Sequence, residues 1–175
     1  LEGHASIVNS VAISEDSKRV VSAGVDGKVI VWDLEEGTGY VKQMLEGHTD
    51  WIRSVVLSKD SKRIVSAGDD HKVIVWNLQE GGGYVKWELE GHTDWVYSVA
   101  ISQDRKMIVS AGNYCKVRVW NLEEDTGYVK HLLEGHTSSV YSVALSQDSK
   151  RIVSAGNDNK VIVWDLLTEE DLTLP

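Results

Sequence analysis

The stretch Gly47–Asn77, GHTDWIRSVVLSKDSKRIVSAGDDHKVIVWN, is written four times in the chain with small variations. Its Gly-His pair stands at Gly3-His4, Gly47-His48, Gly91-His92 and Gly135-His136. Its closing Trp-Asp or Trp-Asn pair stands at Trp32-Asp33, Trp76-Asn77, Trp120-Asn121 and Trp164-Asp165. The histidines fall at 4, 48, 92 and 136, so the period is 44 without drift. A fixed period of this size means one supersecondary unit copied in tandem. The chain reads as a single repeat domain, 1–175, with units at about 1–44, 45–88, 89–132 and 133–175.

A period of 44 is compatible with four-stranded blades or with helical repeats of the HEAT and armadillo kind. The hydrophobic pattern separates them. The first unit contains four short runs, Ile7–Ser14, Arg19–Gly24, Lys28–Leu34 and Tyr40–Leu45. They are rich in Val and Ile, too short for globular helices and bounded by Gly, Asp and Ser, which is the pattern of strands. Val29-Ile30-Val31-Trp32 is apolar on both faces, so both should be buried. The fourth run carries Lys42 and Gln43, and a lysine of this kind protects an exposed edge. Each unit is thus a four-stranded sheet whose apolar faces require neighbouring sheets. Asp-Gly and Gly-rich links such as Asp26-Gly27 and Gly81–Gly83 supply the turns, and Cys115 is expected in the turn between the second and third strands of its unit.

Composition narrows the function. Lys and Arg number 18 against 27 Asp and Glu, a formal charge of -9, which argues against nucleic-acid affinity. No apolar run approaches the length that spans a bilayer, so no membrane role is expected. The single cysteine excludes an internal disulfide and points to a reducing, cytoplasmic setting. The start at Leu1 without Met points to a piece of something longer.

These residues resemble the WD40 repeat family, and the resemblance covers essentially the whole chain. It implies an all-β fold, a β-propeller whose blades are four antiparallel strands. It also implies a hydrogen-bonded tetrad in each blade. The matching sets are His4, Ser22, Asp26 and Trp32; His48, Ser66, Asp70 and Trp76; and His136, Ser154, Asp158 and Trp164. The third unit has His92, Ser110 and Trp120, but Tyr114 stands where Asp is expected. The set makes physical sense. Ser can accept from the buried Trp N–H and donate to His, and Asp can accept from the other His nitrogen.

Ser, His and Asp together also suggest a hydrolase triad. Against this, the trio recurs in every complete unit, and no Gly-x-Ser-x-Gly elbow is present. An enzyme is not expected. The histidines lack the close His/Cys pairing of zinc sites, so no metal is expected. There is no Walker-type loop, and no cofactor is expected.

The units differ at a few positions. Three residues after His come Ile7, Trp51, Trp95 and Ser139; two further on come Asn9, Arg53, Tyr97 and Tyr141; in the tight turn come Val25, Asp69, Asn113 and Asn157. By the resemblance these positions lie on the top face, around the channel mouth, where partners commonly bind. Trp, Tyr and Arg also dominate binding hot spots. The candidate partner-binding residues are therefore Trp51, Arg53, Asp69, Trp95, Tyr97, Asn113, Tyr141 and Asn157. The competing reading makes Trp51 and Trp95 filler between blades. The expected function is a non-catalytic scaffold for a protein or peptide; the alternative is a purely structural module that self-assembles into a closed ring.

Four blades are half of an eight-bladed circle, and propellers hold 4–8. The near-identity of the units implies that blade four of one chain can accept blade one of another, so a homodimer forming one eight-bladed ring is expected. The last unit lacks the Tyr-Val-Lys of the others, so its outer strand must come from Leu172–Pro175 or be missing.

Overall fold

The computed structural model describes residues 1–34, 39–123 and 126–166. Among these residues the chain is all strand, in four antiparallel sheets that repeat in sequence order. Sheet one is β1 (Val8–Ile13), β2 (Arg19–Gly24), β3 (Lys28–Asp33) and β4 (Tyr40–Glu46). Sheet two is β5 (Ile52–Leu57), β6 (Arg63–Gly68), β7 (Val73–Leu78) and β8 (Tyr84–Leu89). Sheet three is β9 (Val96–Ile101), β10 (Met107–Gly112), β11 (Tyr114–Glu123) and β12 (Thr126–Glu134). Sheet four has three strands among the described residues, β13 (Val140–Leu145), β14 (Arg151–Gly156) and β15 (Val161–Asp165). Leu172–Pro175, expected to supply its outer strand, lies outside the described residues.

Local chemistry sets each hairpin. Ser14 Oγ donates to Asp16 Oδ1 at 2.5 Å, Asp16 accepts from the Lys18 amide, and Ser14 Oγ accepts from the Arg19 amide. Side chains thereby satisfy the turn backbone, and Ser17 is held at φ 59°. The same pattern recurs in the three later units through Asp60, Asp104 and Asp148. The tight turn between the second and third strands places Gly27, His71 and Asn159 at positive φ. The third unit departs from this. Gly112 pairs with Tyr114, and the strand begins there, so Cys115 lies within β11, exposed, and not in a turn.

The sheets stack through one recurrent junction. Val21, Ala23, Val29, Val31 and Leu45 of sheet one pack on Ile52, Val55, Ile64, Ile74 and Trp76 of sheet two. The equivalent residues form the second junction, from Val65, Val73 and Val75 to Val96, Val99 and Trp120. They form the third as well, from Val109, Val117 and Val119 to Val140, Val143 and Ile152. The first strands run side by side, β1 on β5, β5 on β9 and β9 on β13.

The two outermost faces carry the same side chains without a neighbour among the described residues. Val11 is 67% exposed, whereas its register equivalent Val55 is 2% exposed. Val161 is 70% exposed, whereas Val73 is fully buried. Val8 and Ile13 accompany Val11, and Val153 and Val163 accompany Val161.

Candidate binding face and structural tetrads

Each tetrad ties the loop before the first strand to the middle of the sheet. In blade two the Trp76 indole N–H donates to Ser66 Oγ at 2.8 Å. Ser66 Oγ lies 2.7 Å from His48 Nε2, and His48 Nδ1 lies 2.9 and 2.8 Å from the two Asp70 oxygens. Donor arithmetic fixes the ring: the serine hydroxyl donates to Nε2, so the proton sits on Nδ1 and is given to the carboxylate. Asp70 also accepts from the Thr49 and Lys72 amides. Blade one repeats this with His4, Ser22, Asp26 and Trp32, and blade four with His136, Ser154, Asp158 and Trp164. Burial pushes these carboxyls upward, but the amide and imidazole hydrogen bonds outweigh it. Asp26 and Asp70 fall below the ordinary carboxylate value and Asp158 falls to about 2.

Blade three keeps three of the four residues and lacks the carboxylate. Trp120 donates to Ser110 Oγ at 2.7 Å, and Ser110 lies 2.6 Å from His92 Nε2. His92 Nδ1 is buried and has no hydrogen-bond partner among the described residues. Tyr114 cannot serve as the missing carboxylate; its ring instead lies 5.7 Å from Arg118 and 5.7 Å from Lys116. Burial and the neighbouring Arg118 charge push His92 down to about 3.

An orphaned buried donor costs about 1–3 kcal/mol. Tyr114→Asp is therefore expected to stabilise the protein by about 1 kcal/mol at pH 7, since the tyrosine's cation contacts are lost in exchange. The pH dependence has a definite sign. The folded His92 lies below its unfolded value of 6.5, so its contribution is present above pH 6.5 and is lost as pH falls toward 3. Thermal unfolding at pH 7 and pH 5 should show a smaller drop for Tyr114→Asp than for wild type. An unchanged or lowered melting temperature at pH 7 would mean that Tyr114 packs usefully in place.

The residues that vary between units gather at the tetrad end of the blades. Arg53, Tyr97 and Tyr141, with Asn9, line a shallow concavity of about 480 Å³. The Tyr97 and Tyr141 rings are 5.5 Å apart, and Trp95 is 6.5 Å from Tyr97. Trp51 and Trp95 are 44% and 43% exposed, so neither ring is buried between blades. The Arg53 guanidinium lies 5.0 Å from the Trp51 ring and is held by Asp69 through bonds of 2.8 and 2.6 Å. Asp69 itself is buried; it positions Arg53 and offers no surface of its own. Asn113 is exposed, donates to Asp94 and accepts from Ser139. Asn157 is exposed and donates to Ser138 at 3.2 Å.

Sequence reading passed over Asp94 and Asp50, whose register equivalents are Ser6 and Ser138. That change from carboxylate to hydroxyl between copies was the available signal. It also passed over the cleft at the opposite end, about 560 Å³, between sheets one and two. There Lys42 pairs with the buried Asp33 at 2.8 Å, and Arg19 donates to the Ser61 carbonyl. Among the described residues no group of three or more His, Cys, Asp or Glu could hold a metal ion.

The profile of the WD domain, G-beta repeat, matches the chain at 1–33, 39–77, 83–121 and 127–165. The chain belongs to the WD40 repeat family. Among curated proteins it is similar to the small ribosomal subunit protein RACK1z of Oryza sativa subsp. japonica, at 51% identity over 37 residues. It is also similar to the small ribosomal subunit protein RACK1 of Medicago sativa, at 49% over 37 residues. Each match covers 21% of this chain and 11% of the relative, a length shorter than one WD40 repeat of this chain. Beyond the repeat itself, these relatives carry no information about where this WD40 chain binds.

Proposed function

We propose that the chain is a non-catalytic scaffold that binds a protein or peptide on the face where its tetrads lie. The observation that carries this reading is the aromatic group of exposed Trp51, Trp95 and Tyr141 with half-buried Tyr97, beside Arg53, on one end of the blades. Aromatic rings around a concavity are the usual material of binding hot spots. The Ser-His-Asp sets recur in the same structural frame in blades one, two and four, which leaves the hydrolase reading without a distinct site. The relatives' name places them in a ribosomal subunit, itself an assembly, and with the free thiol of Cys115 this supports an intracellular setting.

The test uses peptides selected from a random displayed library against the immobilised chain. Tyr97→Ala with Tyr141→Ala should weaken the selected peptides at least about tenfold, the loss typical of one or more hot-spot side chains. Lys18→Ala with Lys62→Ala, at the other end of the blades, should leave them unchanged. The opposite pattern moves the binding surface to that end.

The bare faces of blades one and four support a second element of the reading. Their side chains are those that mate at the three internal junctions, so each face is complementary to the other. The occupant is a second copy, blade one of each chain seated on blade four of the other. Two such contacts close a ring of eight blades with two-fold symmetry and leave no apolar face in water.

A further inference from the structure

Blades two and three carry nearly the same top-face loop with one difference in charge. Blade two reads Asp50-Trp51-Ile52-Arg53 with Asp69; blade three reads Asp94-Trp95-Val96-Tyr97 with Asn113. In blade two the Trp51 ring is already covered by a cation of the chain, Arg53, 5.0 Å from the ring centre and clamped by Asp69. Blade three has lost both the cation and the carboxylate that held it. Its Trp95 remains 43% exposed, and among the described residues no Lys or Arg lies over Trp95, Tyr97 or Tyr141.

What blade three keeps is an acceptor and a set of rings. Asp94 Oδ1 accepts from the Trp95 amide at 2.8 Å, and Oδ2 accepts from Asn113 Nδ2 at 2.9 Å. The carboxylate is thereby fixed against the Trp95 backbone while each oxygen retains a lone pair. The rings run from Trp95 to Tyr97 to Tyr141 and reach the concavity shared with Asn9 and Arg53. The neighbouring lysine at the head of β11, Lys116, is already paired with Glu134. The chain as a whole carries -9. Negative charge of this size draws in a cationic partner rather than an acidic one.

We propose that Trp95, Tyr97 and Tyr141 with Asp94 receive an arginine side chain of a partner peptide, which lies on the ring face as Arg53 lies on Trp51. This rests on the reading of the tetrad end as the binding face and names the chemistry recognised there. Arginine suits the site better than lysine, because its planar guanidinium can stack on a ring and bond a carboxylate at the same time.

The test is a titration with four peptides of the form acetyl-Gly-Ser-Xaa-Ser-Gly-amide, Xaa being arginine, lysine, citrulline or leucine. Binding is followed by the indole N–H resonances. The arginine peptide should bind at least about tenfold more tightly than the neutral citrulline and leucine peptides, with lysine between, as expected for a partly desolvated cation–π contact. Its shifts should centre on Trp95, not Trp51. Trp95→Ala and Asp94→Asn should each abolish the preference for arginine, while Lys18→Ala, at the other end of the blades, keeps it; melting curves confirm that all three fold. Leucine binding as well as arginine, with shifts still at Trp95, overturns the cation assignment and spares the binding face. Absence of binding by all four peptides, or shifts centred away from Trp95, overturns the assignment outright. The binding face itself stands or falls on the library-selected peptides, whichever residues they carry.

Discussion

Trp76→Ala should lower the stability of the protein by about 3–5 kcal/mol, the range for a buried Trp cut to Ala. Trp76 is fully buried, lies at the junction of blades one and two, and stacks edge-on with Tyr84 at 5.6 Å. Its removal leaves a cavity between two sheets and takes the donor from Ser66, which is itself bonded to His48. Domains of this size hold about 5–15 kcal/mol in total, so the loss is a large fraction. Trp51→Ala is the matched control. The same residue type there is half-exposed on the top face, and its loss should stay within about 1 kcal/mol. Urea unfolding of both variants checks the pair, and equal midpoints would refute the structural role of the tetrad.

The second large effect concerns the bare end faces. Val11→Asp should leave the single chain folded, since Val11 is exposed there, yet should weaken association by about a thousandfold or more. A carboxylate forced into an apolar junction costs several kcal/mol, and each 1.4 kcal/mol is tenfold. Val163→Asp, on the opposite end face, should do the same. Val55→Asp, in register with Val11 but buried against blade one, should unfold the protein instead. Light scattering after size exclusion reads the outcome. Wild type should elute at twice the 19.4 kDa of one chain, and the two end-face variants at 19.4 kDa. A stable wild-type species at 19.4 kDa would refute the paired ring; further blades supplied by a longer chain would be the remaining occupant of these faces.

The repeat and its strands were legible because each copy states the same pattern, and one reading is checked by three others. Period 44, short Val/Ile runs and turn residues suffice to place fifteen strands among the described residues. The tetrads were legible through the resemblance to the WD40 family, whose set maps onto His, Ser, Asp and Trp at matching positions, and the need of a buried indole N–H for an acceptor gives that set its physical sense. Other features depend on partners that no single stretch reveals. Asp69 reads as an exposed turn carboxylate until Arg53 is seen to cover it. Cys115 reads as a turn residue by its register with Gly27 and His71. The loss of Asp at position 114 removes the turn chemistry, and the strand extends through it. Val11 and Val55 are the same residue in the same register. Their burial differs because one has a blade in front of it and the other has none, a fact about the neighbour and not about the residue.

The most direct measurement of the binding face is amide hydrogen exchange of the chain with a saturating library-selected peptide. New protection is expected at 48–53, 92–97 and 113, and at 139–141, with little change elsewhere. Protection centred on the outer strands β4, β8 and β12, or on the cleft around Lys42 and Lys62, would contradict it.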